Sequence, residues 1–345
     1  LLHEEESNIK RAIRDFGSAV NFIAPPVSID GHYVLAMALS GGSKAVPFPR
    51  FYKEAVDDDA VCEVIRQLLD GILRRKDQSL GRQPVNTFSY YGGNFSELAR
   101  RLRRFGCESP NLADWCTWAC GHQKSLVSTL VSHGDLHGNN ILVAAGVPHL
   151  IDFGSFGQRH VMQDLAKLER DIRLKQLLGG QEDPLEFSRQ YDAWEAKSAG
   201  RTSKVPPLLE FRRAHACISL IRKFAEQSLE SGSDWESEYW SVLLIQYIFA
   251  AVDGALPTPL RKAAVHLGAQ YCHKLCIRNN WPYNLGELDS ENYESRRRPV
   301  WRLAYSFLRL DQLPSGGWGK TLPQWMEAVW KGDSSLVVGS ATRKQ

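Results

Sequence analysis

The stretch NILVAAGVPHLIDFG, from Asn140 to Gly154, constrains the fold of this chain more than any other. Two apolar runs flank the turn signal Ala145-Gly146, so the segment reads as strand, tight turn, strand. A pair of strands this short is marginal alone in water and needs a larger body to cover one face. The sequence around it supplies that body in helical periodicity. Polar residues gather at both outer ends, in HGDLHGNN (133–140) before the hairpin and at Asp152 after it, which places the chemistry at its open end.

Residues 1–16 put Leu2, Ile9, Ala12, Ile13 and Phe16 on one helical face, with Gly17 placed to end the helix. VNFIAPPVSI and HYVLAMAL, on either side of Asp30-Gly31, read as a second hairpin closing at Leu39, and Ser40-Gly41-Gly42-Ser43 reads as a hinge. Gly41-Gly42-Ser43-Lys44 lacks the glycine spacing and following Ser/Thr of a P-loop. Asp57 is placed to cap a helix carrying AVCEVIRQLLDGILRR. Further helices are predicted over Phe95–Phe105, Leu112–Leu130, Asp164–Leu178, Pro184–Ala199, Leu208–Leu229, Trp235–Asp253 and Pro259–Ile277. The expected class is α+β in three parts. Residues 1–42 form a partial N-terminal lobe with its hinge, 43–280 a large, mostly helical lobe, and 281–345 a Trp-rich extension with a frayed tail.

With 43% hydrophobic residues in 345, the chain can bury a large core, which argues against disorder. Its 42 basic and 39 acidic residues nearly cancel, so no overall field points to nucleic acid or an anionic membrane. The longest apolar run, Val242–Ala251, contains Gln246 and is shorter than the ~18–20 residues of a membrane span, so it reads as a buried helix. Seven cysteines, an odd number spread along a long chain, fit a reducing cytoplasm. The pairs Cys116/Cys120 and Cys272/Cys276 are one helical turn apart and read as core thiols rather than zinc ligands, despite His122 and His273 nearby. The start at Leu1 has neither an initiator Met nor a secretory pattern, and the expectation is that sequence precedes it.

Moving the γ-phosphoryl of ATP to a hydroxyl needs a carboxylate to orient or deprotonate the acceptor and oxygen ligands that hold magnesium against the phosphates. Asp135 is the candidate base. Asn140 and Asp152, at the two ends of the hairpin, are the candidate metal ligands.

The ordered set His133, Gly134, Asp135, His137 and Asn140, then Asp152, then Asp164-Leu165-Ala166, resembles the aminoglycoside phosphotransferase and choline kinase superfamily, relatives of the protein kinases. The resemblance implies a protein kinase-like fold, ATP and Mg2+ as cofactors, and a hydroxyl-bearing acceptor. It also implies that Asp164 braces the loop rather than reacting. Phe153-Gly154 departs from the aromatic-acidic pair usual in aminoglycoside kinases and looks like the DFG of protein kinases, so one ligand of the antibiotic-kinase pattern is absent. GQRHVMQDLAKLERDI (157–172) resembles, more narrowly, the ternary-complex-associated kinase-like domain of multidomain bacterial conflict and signalling proteins, over about residues 1–280. That implies a place among other domains of a larger protein. Lys167, Glu169 and Arg170 read as a solvated helix face with ion pairs at helical spacing.

The superfamily's small lobe carries a glycine-rich loop and a strand Lys paired with a helix Glu. Neither the loop nor the Lys is found in this sequence, and Lys10, Lys44 and Lys53 read as helix, hinge and loop residues. Glu5 lies closest to the position of the helix Glu, with Glu6 on the other flank. Backbone groups from Met37 to Leu39 would meet adenine, with Leu142 and Ile151 as the floor of its cleft. His133 would fix the loop, and His137 is open between packing and reaching a phosphate. Two functions follow: an active phosphotransferase whose helices after Asp164 build the acceptor site, or a nucleotide-sensing, degenerate module within a larger protein. The balanced charge of those helices argues against a polycationic antibiotic as acceptor.

Overall fold

The computed structural model describes residues 7, 8, 11, 27–29, 32–34, 45–73, 80–92, 95–104, 112–123, 127–198, 208–229 and 233–282. Glu5, Met37, Leu39, Lys10 and Lys44 lie outside the described residues. Strand β1 (Val27–Ile29) pairs antiparallel with β2 (His32–Val34), Ile29 opposite His32, as the second predicted hairpin requires.

The hairpin between Asn140 and Asp152 forms where the sequence put it. Strands β6 (Ile141–Ala144) and β7 (Val147–Leu150) pair antiparallel, with Ala144 opposite Val147. Ala145 and Gly146 both take positive φ (49° and 79°), as a tight two-residue hairpin turn demands. A short strand β3 (Val46–Pro47) adds to the other edge, Pro47 opposite Leu142. Helix α1 (Phe48–Glu54) follows at once, with Phe48 wholly buried. It carries Lys53, which therefore stands on an exposed helix position and not on a loop.

Helix α2 (Asp58–Leu73) begins as predicted, the Asp57 carboxylate accepting from the Asp59 amide at 3.0 Å. After β4 (Gly81–Gln83) come α3 (Thr87–Tyr91), α4 (Phe95–Arg104) and α5 (Leu112–Cys120). The helix predicted over Leu112–Leu130 thus ends at Cys120, and Val127–Ser132 forms β5 instead. Gly121 stops the helix, its amide turning back to the Trp118 carbonyl at 3.1 Å, and the run VSTLVS carries the β-branched residues that favour a strand. Strand β5 is the middle of a second sheet, flanked by β4 and β8 (Gly157–His160), both antiparallel. Leu130 sits opposite Arg159. Loop 133–140 therefore leaves the middle strand of one sheet and enters the middle strand of the other.

Behind the two sheets lie α6 (Gln163–Asp171), a π-helical continuation over Ile172–Leu177, α7 (Pro184–Ser198), α8 (Leu209–Gln227), α9 (Trp235–Val252) and α10 (Thr258–Asn279). Val242–Ala251 is buried at nearly every position in α9, against α10 and α6, as a core helix should be. No described helix is long and apolar enough to cross a membrane. Cys116 and Cys272 are fully buried, packed as thiols in this helical layer. Arg213, itself buried, ties α8 to the start of the lobe. Its guanidinium donates to the Asp58 carboxylate at 2.7 Å and to the Ala55 carbonyl at 2.7 Å, and Arg212 adds a second bond to Asp58 at 2.6 Å.

Candidate active site

Loop 133–140 is held by its own side chains before anything else touches it. His133 is buried, packs against Phe153 (5.0 Å between ring centroids), and places Nε2 2.9 Å from the Ile151 carbonyl oxygen, while its Nδ1 faces the Asp135 amide at 3.3 Å. Donation from Nε2 and acceptance at Nδ1 fix one neutral tautomer. His133 therefore locks the two halves of the site together, as its position implied. Leu136 drops fully into the core and anchors the middle of the loop. Asn140 donates through Nδ2 to the Asp135 carbonyl at 2.9 Å, and its own carbonyl accepts from the Ile151 amide at 3.0 Å.

The second support comes from one face of α6. Asp164, 3% exposed, accepts from the Gly134 amide at 3.1 Å and the Leu136 amide at 3.3 Å, so one carboxylate holds both neighbours of Asp135. Seven residues on, two helical turns, Asp171 accepts from the Gly138 amide at 2.9 Å and pairs with Lys175 at 2.9 Å. Between them Lys167 reaches the Asp135 carboxylate directly. Positions 164, 167 and 171 lie on one stripe of a helix, so the stripe that braces the loop backbone also delivers an ammonium to the Asp135 side chain. Gln163 closes the arrangement by donating to the Gly134 carbonyl at 2.7 Å.

Gly134 has φ +79°, and a Cβ there would run into the Ser155 carbonyl oxygen. Only glycine fits between the two sheets at that point. Asp152 also takes a left-handed conformation, φ 61°, which is uncommon outside glycine. Its Oδ1 accepts from the Gly154 amide at 3.4 Å and its side chain is exposed at the mouth of the hairpin. Leu142 and Ile151, on the paired strand and just past its partner, are both half-buried and keep apolar surface accessible.

Beside Asp135 opens a pocket of about 270 Å³. One wall is the α6 stripe and its π-helical continuation, with Lys167, Arg170 and Lys175; the other is the end of α9, with Phe249 and Asp253. Asn140 and Asp152 do not line it. Burial and the neighbouring Arg170 charge bring the Lys167 ammonium down to about 8, with Asp171 pulling the other way. Burial also lowers His137, with the Asp171 charge pulling the other way, and its Nε2 lies 3.8 Å from the Asp135 carboxylate.

The reading of Lys167, Glu169 and Arg170 as a solvated face is overturned. Lys167 is on Asp135. Glu169 is fully buried, its two oxygens accepting from Arg222 at 2.7 and 3.1 Å and from the Tyr271 and Tyr239 hydroxyls at 2.9 Å each. Arg170 points into the pocket and donates to Gln246 of α9 at 3.2 Å. Spacing could have found Lys167: with Asp164 assigned to brace the loop, positions 167 and 171 face the loop as well.

As a magnesium site, Asn140 and Asp152 supply the hard oxygen donors that ion takes: an exposed carboxylate, and an amide whose nitrogen is bonded to the Asp135 carbonyl so that its oxygen remains. Among the described residues, no group of three or more His, Cys, Asp or Glu forms a ready cage. Such a pair suits an ion that keeps several waters and phosphate oxygens as its other ligands.

Residues 97–248 match the family described as ternary complex associated domain 9. This interval contains the loop, the hairpin and the α6 stripe. Among curated proteins none matches the chain. Solved structures similar to it include a glucosamine kinase in complex with glucosamine, ADP and inorganic phosphate, at 14% identity and a TM-score of 0.47, covering 79% of this chain and 73% of that one. Another is an amicoumacin kinase in complex with AMP-PNP, Ca2+ and Ami, at 14% identity and a TM-score of 0.40, covering 82% and 79%. The architecture itself, an α+β chain whose loop between two small sheets is buttressed by a mostly helical lobe, is protein kinase-like.

Proposed function

We propose that the chain is an ATP- and magnesium-dependent phosphotransferase acting on a hydroxyl acceptor. The observation that carries this reading is the double brace by which Asp164 and Asp171 hold loop 133–140, so that Asp135 lines a pocket that Asn140 and Asp152 do not line. A base between an acceptor pocket and a pair of oxygen ligands is the order that in-line transfer requires.

In this scheme Asp135 orients the acceptor hydroxyl and takes its proton. Asn140 and Asp152 hold magnesium, which offsets phosphate charge when bound. Leu142 and Ile151 supply apolar floor to the base, and Glu5, Met37 and Leu39 complete the nucleotide site. Lys167 holds the Asp135 carboxylate in position and shifts to the transferred phosphoryl as the acceptor arrives.

A second reading is a nucleotide-sensing module within a larger protein, to which the family match of residues 97–248 also lends support. The Lys167 contact favours it, because a carboxylate held by an ammonium accepts no proton until that contact opens. Calorimetry of ATP binding with and without magnesium, for wild type and Asp152→Ala, tests the metal assignment. Binding that requires magnesium and is lost with Asp152 supports it; binding indifferent to both overturns it.

A further inference from the structure

We infer that the pocket beside Asp135 takes a small acceptor carrying an anionic group, a phosphate or carboxylate, about one helical turn from its reactive hydroxyl. The inference rests on the phosphotransferase reading and names the acceptor class of that site.

The pocket wall carries three cations, Lys167, Arg170 and Lys175, and three carboxylates, Asp135, Asp171 and Asp253. The carboxylates are already engaged. Asp135 meets Lys167, Asp171 holds the Gly138 amide and Lys175, and Asp253 accepts from the Ala255 amide at 2.9 Å. Arg170 is different. Its hydrogen bond among the described residues goes to a neutral amide, Gln246, and the Asp171 and Asp253 charges act on it only from a distance. A guanidinium has five donors, and one neutral acceptor leaves a fork suited to an anion's paired oxygens.

The position of this fork separates it from the nucleotide. Asn140 and Asp152, the candidate ligands for metal and phosphates, lie outside the pocket lining, whereas Asp135 lines the pocket and through its backbone carbonyl accepts from the Asn140 side-chain amide at 2.9 Å. An anion at Arg170 therefore belongs to the acceptor. Arg170 is three residues from Lys167, so its side chain starts roughly 5–6 Å from the one that touches Asp135. At about 270 Å³ the pocket suits a sugar-sized molecule rather than a folded partner. A polycation would meet Lys167, Arg170 and Lys175 and find no unengaged carboxylate among them.

The test uses the full chain and inorganic phosphate as probe, read by 31P line broadening at matched ionic strength. Phosphate should bind, gluconate should displace it, and glucose or glucosamine should not. Arg170→Gln should weaken phosphate binding about tenfold or more, while Arg170→Lys keeps part of it. ADP affinity, measured by calorimetry on the same variants, should not change, which separates this pocket from the nucleotide site. Should ADP fail to bind wild type, the phosphotransferase reading falls whatever phosphate does. No phosphate binding by wild type, equal displacement by glucosamine, or binding that ADP alone abolishes and Arg170→Gln preserves would each overturn the inference. Because the comparison of gluconate with glucosamine needs only wild type, it stands even if Arg170→Gln does not fold.

Discussion

The Asp164 carboxylate bonds the amides of both residues that flank Asp135, Gly134 at 3.1 Å and Leu136 at 3.3 Å, and so sets the direction of a side chain it never touches. Asp164→Ala would leave two buried N–H groups without partners. At about 1–3 kcal/mol for each, the loss should be about 2–6 kcal/mol of stability, measured by urea denaturation. Asp164→Asn keeps an acceptor oxygen and should lose about half as much.

Gly134→Ala should cost more than the ~1 kcal/mol of an ordinary glycine replacement, because the position combines φ +79° with a collision at the Ser155 carbonyl. The two sheets meet there and cannot both stay in place. A thermal midpoint lowered by several degrees, together with loss of nucleotide binding, is the expected result.

Glu169 lies two residues from Lys167, on the opposite face of the same helix, and does structural work instead. Glu169→Ala would strand the buried end of Arg222, leaving it the Glu195 carboxylate and the Tyr271 hydroxyl, each at 3.0 Å. Removing one partner of such a pair costs about 3–5 kcal/mol, whereas Tyr239→Phe, which deletes one neutral hydroxyl bond, should cost about 1 kcal/mol. Chemical denaturation of the two variants separates these values.

Glu238 and His160 form a buried pair beneath β8, 3.3 Å apart. His160 Nδ1 accepts from the Met162 amide at 3.1 Å, so Nε2 carries the proton, and its hydrogen bond goes to the Thr87 hydroxyl at 3.3 Å. Burial raises the Glu238 carboxyl from 4.5 to about 7 and lowers His160 from 6.5 to about 3. A carboxyl that holds its proton more tightly when folded loses stability as pH rises from about 4.5 to 7. Glu238→Gln removes that loss. It should match wild type below about pH 4.5 and exceed it by roughly 1–3 kcal/mol above about pH 7, read from denaturation midpoints across that range.

The site's backbone was legible in the sequence because it rests on short-range signals. Ala145-Gly146 specified the hairpin turn and HGDLHGNN the loop, whereas the Asp164 brace, thirty residues from Gly134, was legible only through the family resemblance. What was not legible depends on pairing between distant segments. Val127–Ser132 looked like the end of a helix until Gly121 was seen to stop it, and Gly157–His160 is a strand only because β5 lies beside it. Glu169 and Arg170 looked solvated because α6 alternates charge with apolar residues, a pattern that describes a surface helix as well as one whose charges find partners in α8 and α9. Lys167 stands one turn from Asp164 on the stripe that faces the loop, and its contact with Asp135, thirty-two residues away, depends on that stripe being packed there.

The central claim is that loop 133–140 performs phosphoryl transfer through Asp135. Its most direct test sets magnesium-ATP affinity beside ATP turnover for wild type and Asp135→Asn. A base contributes about a hundredfold to ten-thousandfold to the chemical step and little to nucleotide binding. The account predicts unchanged affinity with turnover reduced by that factor. Turnover that survives Asp135→Asn, or a wild type that binds magnesium-ATP but turns over none across a broad panel of hydroxyl acceptors, would contradict it.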